Sequence, residues 1–380
     1  MSHAPDARGT PVWDVGPAPD LPRLEGDADA DVCVVGLGAS GLVCAGELVR
    51  LGARVVGVDA GRVGGGAAGR NGGFLLAGLA LFHHEAVARY GRERALALYR
   101  LTLDELDRVE METPALVSRS GSLRIAESDD ELADCALQLA AMRADALPVD
   151  RYEGPEGVGL LVPGDGTFQP LARCRALATR VVADGARLFE RSPVTGIDAS
   201  GVRTERGLVR ARQIVVAVDG CLERLLPELA SRVRTARLQM LATEPTTEIR
   251  LTRPVYARWG YDYWQQRPDG AIALGGARDL AGESEWTTNA TPTPVVQAAL
   301  ERRLRERLGV HAPISHRWAA SVGYTADYLP IATEVRGGVW AIGGYCGTGN
   351  VIGALLGRGV ARWLRTADDS LIRPFMQAVG

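Results

Sequence analysis

The order of short patterns in residues 31–59 limits the fold of this chain more than any other feature of its sequence. An apolar run at 31–35 leads directly into a loop with three glycines, and a helical pattern follows until Gly52 ends it. A second apolar run at 54–58 then ends at Asp59. Apolar runs of this length are typical of buried parallel strands, so the segment predicts one complete βαβ unit.

The loop between the first strand and the helix has the spacing of a dinucleotide-binding site. Its residues Gly36, Gly38 and Gly41 form the pattern GxGxxG, which is specific only in a strand–loop–helix context such as this one. The first glycine permits a tight turn, the second lets the backbone approach a pyrophosphate, and the third lets the helix pack against the strand. The helix N-terminus at Ala39 and Ser40 would direct free N–H groups and a positive dipole end at the phosphates.

Two further glycine clusters decide between the dinucleotides that use such a unit. Asp59 can accept hydrogen bonds from a ribose diol in either NAD or FAD. The stretch VGGGAAGRNGGF at 63–74 follows it, and a third cluster, GGYCGTGN at 343–350, again lies between a predicted strand and a helix. Three glycine-rich segments so far apart in sequence, each of which lets the backbone come close to a ligand, suit a long cofactor that lies extended across the domain. A simple nicotinamide dehydrogenase lacks the second of these segments. We therefore predict FAD as the cofactor.

Composition argues against several classes of partner. The chain has 380 residues, enough for two domains, and a net charge of -3, which indicates no basic surface for nucleic acid or anionic membrane. No apolar run reaches transmembrane length and the first residues lack a hydrophobic signal core, so we expect a cytoplasmic protein without membrane insertion. The six cysteines and five histidines show no metal-ligand spacing, so we expect no metal. All 43 basic residues are arginine, so no lysine can take part in the chemistry.

Periodicity predicts the remaining elements and their division into domains. Helical patterns lie at residues 86–110, 129–146, 171–184, 294–308 and 351–364, and strand patterns at 187–189, 213–218, 255–277 with a turn at 268–270, and 339–342. They indicate an α/β (α+β) protein with a Rossmann-type FAD-binding domain and a second, antiparallel-sheet substrate domain. The expected division is an N-terminal arm at 1–29, the FAD-binding domain at 30–80, 151–227 and 321–380, and the substrate domain at 81–150 and 228–320.

With these motifs the chain resembles the D-amino acid oxidase superfamily of FAD-dependent amine oxidoreductases, and within it the gamma-glutamylputrescine oxidase and glycine/sarcosine oxidase group. The resemblance spans nearly the whole chain. It is carried by GLGASGLVCAGELVRLG at 36–52, GGGAAGRNGG at 64–73, RLQMLATEP at 237–245, YWQQRPDGAIALGG at 263–276, GYTADYLP at 323–330 and IGGYCGTGN at 342–350.

The resemblance implies which residues contact FAD. The GRNGG loop would lie against the pyrophosphate and ribityl portion through Arg70 and Asn71, although an ordinary surface arginine is the alternative for Arg70. The closing turn at 344–349 would direct N–H groups to the flavin N1/O2 edge, and Val194 would lie on the adenine side. Beyond the first glycine loop, the expected contacts are Asp59, Ala60, Arg62, Ala68, Gly69, Arg70, Asn71, Gly72, Gly73, Val194, Gly344, Gly347, Thr348, Gly349 and Asn350.

Some positions depart from the patterns of that superfamily and bear on its ligands. Its amino acid oxidases often carry an arginine just before the Thr-x-Asp motif to bind a substrate carboxylate, and Val322 stands there in this chain. A substrate without that carboxylate is favoured unless Arg258, Arg278 or another arginine substitutes. Sarcosine oxidases attach flavin through a cysteine in the same neighbourhood. Because Ser321 and Val322 occupy it here, we expect noncovalent FAD, with Cys346 as a remote alternative attachment point.

Two more departures bear on reoxidation and on reaction type. Sarcosine oxidases use a lysine near the flavin to promote the reaction with oxygen, and this chain has none. Arg278 or a protonated His84 could replace it, or the acceptor is not oxygen and the protein is a dehydrogenase. Relatives commonly carry threonine-asparagine-alanine where this chain has Val218, Asp219 and Gly220, a pattern that faintly resembles flavin monooxygenases.

The substrate face is expected in the antiparallel segment. Tyr261 and Tyr263 would share one face of a strand, and with Arg278 and His84 they are the catalytic candidates. The tyrosines could form an aromatic cage that orients an amine, or they could be ordinary sheet packing. For His84, a packed or solvated histidine is the alternative.

The expected reaction is oxidation of a C–N bond in a small-molecule amine or amino acid. The flavin would take a hydride at N5, the imine would hydrolyse in water, and oxygen or another acceptor would reoxidise the flavin. The alternatives are a 2-hydroxy-acid or alcohol dehydrogenase of the same superfamily, a flavin monooxygenase, and a non-catalytic flavoprotein.

Overall fold

The computed structural model describes residues 8–376, so residues 1–7 of the predicted arm and 377–380 of the last predicted FAD-domain segment lie outside it. Its α-helices are α1 Ala39–Arg50, α2 His83–Tyr90, α3 Arg92–Glu112, α4 Asp129–Ala144, α5 Pro170–Ala183, α6 Leu222–Leu225, α7 Pro294–Arg302 and α8 Gly349–Thr366. Its strands are β1 Ala28–Val35, β2 Val55–Val58, β3 Phe74–Leu75, β4 Val117–Ser118, β5 Ser122–Ile125, β6 Asp150–Gly154, β7 Gly157–Val162, β8 Gly166–Phe168, β9 Arg187–Phe189, β10 Val194–Asp198, β11 Gly201–Thr204, β12 Leu208–Val216, β13 Val233–Thr243, β14 Val255–Ala257, β15 Asp262–Gln266, β16 Ile272–Gly276, β17 Ile314–Thr325, β18 Ile331–Arg336 and β19 Val339–Gly343.

The first sheet contains the βαβ unit that residues 31–59 predict. Its central strands follow the order β19-β12-β1-β2-β9 and are parallel, with β18 antiparallel at one edge and the β10–β11 hairpin paired to the first part of β12. Along β1, Val32 and Val34 pack in the core formed with α1, α5 and α8, whereas Cys33 and Val35 pack on the opposite face with α6. Both faces of the sheet are therefore covered, as in doubly wound α/β proteins.

The second sheet is almost entirely antiparallel. Its order is β17-β13-β16-β15-β14-β5-β7-β6, and only the neighbours β14 and β5 run parallel. Helix α7 packs on it through Val296 and Leu300, beside Trp264 of β15. A small third sheet, β3-β8-β4, completes the strands. The prediction of an α/β (α+β) fold with a Rossmann-type part and a second antiparallel sheet is confirmed.

Two predicted segment boundaries differ from the pairing of the strands. Strand β7 and all of β6 except Asp150 fall in the segment 151–227 that the sequence assigned to the FAD-binding domain. In the structure β7 pairs with β5, and β6 with β7, in the second sheet. Strand β17 also belongs to the second sheet and crosses the predicted boundary at residue 321. Alternating apolar residues in the sequence predict that a strand has a buried face. They do not predict which strand it pairs with, because that depends on residues far away in sequence.

Predicted helix bounds differ where the backbone changes its conformation. The helix predicted at 86–110 is divided into α2 and α3 by Gly91, whose φ of +82° lies outside the helical region. The helix predicted at 294–308 ends as α7 and continues as one π-helical turn, Arg303–Arg307. The predicted turn at 268–270 joins β15 to β16, as expected. Within residues 8–376, no helix combines the length and the hydropathy needed to span a lipid bilayer.

A buried ionic network fixes α8, the helix that follows the third glycine cluster. Arg358 is only 9% exposed and donates to the carboxylates of Glu105 and Glu112 on α3, at 3.0 and 2.8 Å. Helix α8 also packs closely on α1, because a Cβ on Gly357 would lie 2.3 Å from the Ser40 carbonyl oxygen. Since α1 and α8 follow the parallel strands β1 and β19, their N-termini lie at the same edge of the first sheet.

Candidate active site

A cavity of about 1070 Å³ lies where the parallel strands of the first sheet end. Its wall contains Gly36 after β1, Asp59 after β2, Val194 at the start of β10, Ala217 after β12 and Tyr345 after β19. Strands β13, β15 and β17 of the second sheet close its other side. The carboxyl edge of a parallel sheet is the usual ligand site of an open α/β fold, so this cavity is the candidate active site.

The three glycines of the first loop have different roles. Gly36 has a φ of +100°, and a Cβ there would lie 2.5 Å from the Ala217 carbonyl oxygen. A Cβ on Gly41 would lie 1.9 Å from the Gly36 carbonyl oxygen. Gly38 borders the cavity instead, and the atom nearest to a Cβ there is the Cβ of Ala68, at 3.2 Å. Packing of the protein itself therefore requires the first and third glycines, whereas the second leaves the backbone open to a ligand.

The N-terminus of α1 directs hydrogen-bond donors at the cavity. The first hydrogen bond along α1 is donated by Leu42 to the Gly38 carbonyl oxygen, at 3.0 Å. The N–H groups of Ala39 and Ser40 precede it and have no acceptor within the helix, and both residues border the cavity. This end of the helix also carries the positive pole of the helix dipole, so the site favours an anionic group such as a phosphate.

Asp59 lies beside the first glycine loop and is held by the backbone. Its carboxylate accepts hydrogen bonds from the N–H groups of Leu37 and Gly61, each at 2.7 Å. Burial raises the pKa of Asp59 above its usual value, and the two hydrogen bonds oppose that shift. Because a carboxylate has about four lone-pair sites, acceptors remain for the hydroxyls of a ribose.

Arg70, in the second glycine cluster, is buried and joins three segments. Its side chain is 5% exposed and donates to the carbonyl oxygens of Ala319 and Arg8, each at 2.8 Å, and also to that of Gly9. The Arg70 carbonyl oxygen in turn accepts a hydrogen bond from the Trp318 indole at 2.7 Å. An ordinary surface arginine is thereby excluded, and the guanidinium fixes the loop against β17 and the N-terminal arm.

Hydrogen bonds join the glycine clusters to one another. Asn71 donates to the side-chain oxygen of Asn350 at 2.9 Å, and Asn350 donates back at 3.1 Å and to the Phe74 carbonyl oxygen at 2.8 Å. The Tyr345 hydroxyl donates to the Ser40 hydroxyl at 2.9 Å. The second cluster is thus tied to the third, and the third to the first, so that all of them border one cavity.

Comparison with known proteins identifies the family to which this construction belongs. The model of a family described as FAD dependent oxidoreductase (DAO) matches residues 31–363. The chain belongs to this family. The predicted family, and with it the prediction of a FAD-dependent enzyme, is confirmed.

Relatives of this FAD-dependent oxidoreductase are similar over most of their length. Gamma-glutamylputrescine oxidoreductase of Escherichia coli is 29% identical over 369 residues, 88% of this chain and 83% of that protein. A probable oxidoreductase, OrdL, of Rhizobium meliloti is 28% identical over 367 residues, 90% of this chain and 84% of that protein. The structure of glycine oxidase from Geobacillus kaustophilus matches with a TM-score of 0.75 at 20% identity, covering 93% of this chain and 100% of that one. L-proline dehydrogenase from P. horikoshii matches with the same TM-score at 18% identity, covering 93% and 98%. The two structures share the fold of this chain.

The residues of this FAD-dependent oxidoreductase fit its cofactor, because two helix N-termini, a strand-end carboxylate and an open glycine backbone border one cavity. The expected contacts on the cavity wall are Gly36, Gly38, Ala39, Ser40, Asp59, Ala60, Ala68, Arg70, Asn71, Gly72, Val194, Gly347, Thr348, Gly349 and Asn350. Outside the wall that the described residues form are Gly41, Arg62, Gly69, Gly73 and Gly344. Packing explains two of these glycines, since a Cβ would lie 2.3 Å from the Gly64 carbonyl oxygen at Gly69 and 2.7 Å from the Gln265 amide nitrogen at Gly73.

Three of the four catalytic candidates are brought together at the substrate side of the cavity. Tyr261, Tyr263 and Arg278 border it. Tyr263 also packs in the sheet, with its ring 5.7 Å from that of Tyr256. Sheet packing and a place in an aromatic cage for the substrate are therefore compatible for this residue. His84 lies outside the described wall, and its Nε2 is 3.2 Å from a carboxylate oxygen of Asp134 on α4. The alternative of a packed histidine therefore describes His84 better than a place beside the flavin.

Asp219 is a residue of the wall that sequence reasoning did not select. It follows β12 in the left-handed region, with a φ of +45°. Its carboxylate accepts hydrogen bonds from the N–H groups of Tyr345 at 3.1 Å and Gly323 at 3.3 Å, and thus joins the closing turn at 344–349 to β17. Burial raises the pKa of Asp219 to about 6. Its position at the carboxyl end of an apolar strand was the available signal.

Proposed function

We propose that this FAD-dependent oxidoreductase oxidises a C–N bond in an amine or amino acid. The observation that carries the proposal is the continuity of the cavity, which runs from the nucleotide-type loops of the first sheet to the aromatic cluster at Tyr261, Tyr263 and Arg278. A substrate held at that cluster would lie next to the closing turn at 344–349, where the flavin edge is expected. Relatives named for a glutamylated amine, glycine and proline support the substrate class.

Bound FAD would supply the chemistry by accepting a hydride from the carbon next to nitrogen, and the imine product would hydrolyse in water. The chain would hold the cofactor through the α1 N-terminus at the pyrophosphate, Asp59 at a ribose, and the closing turn with the α8 N-terminus at the flavin N1/O2 edge. The sequence contains no lysine for acid–base chemistry. The proposed reaction needs no strong base when the amine arrives neutral, so the protein contributes position and exclusion of water.

Two buried tyrosines of the wall, Tyr256 and Tyr263, would act as neutral groups. Burial raises the pKa of Tyr256 to about 12 and that of Tyr263 well above its usual value. Both hydroxyls therefore stay protonated at neutral pH and can donate hydrogen bonds, while their rings present apolar faces to the substrate. An aromatic surface of this kind positions an amine without taking its proton.

An anaerobic titration of the purified protein with candidate donors tests the proposed function. The visible absorption of the flavin is expected to bleach with one class of amine or amino acid, and admitting air then shows whether oxygen is the acceptor. Parallel titrations with 2-hydroxy acids and with NADPH are the controls. Bleaching by a hydroxy acid alone, by NADPH alone, or by no donor would overturn amine oxidation in favour of the alcohol dehydrogenase, the monooxygenase or the non-catalytic flavoprotein.

We further propose that FAD is bound noncovalently. Ser321 and Val322 offer no thiol, and Cys346, which borders the cavity, is 7% exposed with its sulfur accepting a hydrogen bond from the Thr325 N–H at 3.3 Å. Burial raises the pKa of the Cys346 thiol to about 11, so the nucleophilic thiolate is scarce at neutral pH.

Acid precipitation measures the attachment directly. All of the yellow colour is expected in the supernatant. Flavin retained in the pellet would contradict noncovalent binding, and its release in a Cys346→Ser variant would then identify the attachment point.

A further inference from the structure

Arg278 lies in an aromatic box at the substrate side of the cavity. It begins the 3₁₀ segment Arg278–Glu285 that follows β16. The centre of its guanidinium lies 4.8 Å from the ring centre of Trp286, 4.9 Å from that of Tyr324 and 5.6 Å from that of Tyr261. These contacts restrict the guanidinium by cation–π attraction, but ring faces satisfy none of its five N–H donors in the way an oxygen acceptor does.

Every acidic side chain of that 3₁₀ segment is paired with a different arginine. Asp279 pairs with Arg258, Glu283 pairs with Arg234, and Glu285 pairs with Arg237. Within residues 8–376, no hydrogen bond or ion pair engages the Arg278 side chain, although its neighbours Arg258 and Asp279 are paired with each other. The segment therefore neutralises the arginines around Arg278 and leaves its charge for a ligand in the cavity.

The other arginines of the wall are engaged differently. Arg70 is fixed by backbone carbonyl oxygens, and Arg8 donates to the Gly65 carbonyl oxygen at 3.1 Å. Arg224 donates to the Thr288 hydroxyl at 3.2 Å. Arg258, which the sequence left as an equal candidate, lies outside the described wall and pairs with Asp262 at 3.0 Å as well as with Asp279. Arg278 is thus the arginine that the described surroundings leave best placed to bind an anion.

Arg278 also lies close to the expected position of the flavin. Tyr324, over whose ring the guanidinium lies, has its hydroxyl 3.7 Å from where a Cβ on Gly347 would stand. One aromatic ring therefore separates Arg278 from the closing turn at 344–349. A planar guanidinium held in one orientation forms two parallel hydrogen bonds with a carboxylate, and little further side-chain entropy is lost when they form.

We propose that Arg278 binds a carboxylate of the substrate, so that the substrate is an amine that carries a carboxylate group rather than a simple amine or polyamine. The inference rests on the proposed function, because it assumes that the ligand of Arg278 is the amine that the enzyme oxidises. Binding of an anion at Arg278 does not itself require that the enzyme turn over. Arg278, in the 3₁₀ segment after β16, would take the place of the arginine that is absent at Val322 of β17.

Binding of a non-reacting carboxylate to the FAD-loaded enzyme tests the site without catalysis. Benzoate is expected to perturb the flavin absorption of the native enzyme with saturation, whereas the neutral isostere benzamide is not. Arg278→Gln is expected to raise the benzoate Kd at least tenfold. Arg278→Lys is expected to recover part of that loss, because lysine keeps the positive charge but lacks the two parallel N–H donors of the guanidinium. Arg224→Gln, which removes another cation of the same wall, is the matched control and is expected to leave the Kd unchanged.

Equal benzoate affinity in the native and Arg278→Gln enzymes would overturn the proposal, provided that thermal unfolding and flavin content show an intact variant. Matched donors give a second measurement: proline against pyrrolidine, and sarcosine against dimethylamine, as anaerobic reductants. The carboxylate-bearing member of each pair is expected to reduce the flavin with the lower half-saturation, and Arg278→Gln is expected to remove that difference. Reduction by simple amines alone would retain amine oxidation and overturn the role of Arg278. Arg278-dependent benzoate binding without reduction by any amine would retain the anion site and overturn the proposed function.

Discussion

A Gly38→Val variant is expected to fold and to be purified without flavin. The only neighbour that a Cβ on Gly38 would meet within 4 Å is the Ala68 Cβ, at 3.2 Å, so the protein itself has room for a side chain there with a small adjustment. The same side faces the cavity beside the α1 N-terminus, where a pyrophosphate has to approach the backbone closely. We expect FAD affinity to fall at least about 100-fold, or about 3 kcal/mol. The ratio of flavin to protein absorption and reconstitution with added FAD measure this.

Two other glycines of the same segment separate cofactor binding from folding. Gly46 lies on α1 outside the described cavity wall, and its Cβ would also have its nearest neighbour at 3.2 Å, the Val181 side chain. Gly46→Ala is therefore expected to retain full flavin. Gly41→Ala is expected to lose soluble protein, because its Cβ would lie 1.9 Å from the Gly36 carbonyl oxygen. Full flavin in Gly38→Val would show that this loop does not contact the cofactor.

The elements that sequence reasoning located well are those with local causes. Strand β9 has the predicted bounds 187–189, and the βαβ unit lies where the glycines and Asp59 placed it. Here a tight turn, a helix end and an apolar run are each specified within a few residues, so the pattern and the structure coincide. The first and third glycine clusters border the cavity for the same reason, since each lies between a parallel strand and a helix. The second cluster follows β2 of the same sheet.

The features that sequence reasoning missed depend on partners far away along the chain. Asn71 bonds to Asn350, and Arg70 to the carbonyl oxygen of Ala319, pairs that no local pattern connects. Arg258 and Arg278 are alike in sequence, but in the structure Arg258 is paired with two carboxylates and lies outside the described cavity wall, whereas Arg278 borders the cavity. Asp219 attracted notice as a departure from relatives, but its three-way junction exists only once β12, β17 and the closing turn have come together.

Asp219 is expected to make the stability of the protein depend on pH, with a sign opposite to that of most carboxylates. Its pKa is raised to about 6, chiefly by burial, although the N–H groups of Tyr345, Gly323 and Gly344 donate hydrogen bonds to it. A raised pKa means that the folded protein binds the proton more tightly than the unfolded chain does. The contribution to stability is then fully present below the unfolded pKa of about 3.8 and is lost as the pH rises through about 6.

Asp219→Asn is therefore expected to gain stability relative to the native protein as the pH rises from 4 to 7. The shift of the Asp219 pKa corresponds to at most about 3 kcal/mol, and access of water from the cavity reduces it. Asparagine offers one acceptor oxygen where the carboxylate offers two, so the variant also loses a constant amount of stability at every pH. The quantity to measure by urea unfolding is therefore how the difference in unfolding free energy between native protein and variant changes with pH. Asp31→Asn is the control, because hydrogen bonds from Arg54 lower the pKa of Asp31 to about 2. Its contribution to stability therefore rises slightly between pH 4 and 5, with the opposite sign, and is constant above pH 5. A native-minus-variant difference that stays flat for Asp219 as well would mean that its carboxylate is solvated in the cavity, and that the closing turn is held by an ordinary ionised aspartate at every pH where the enzyme works.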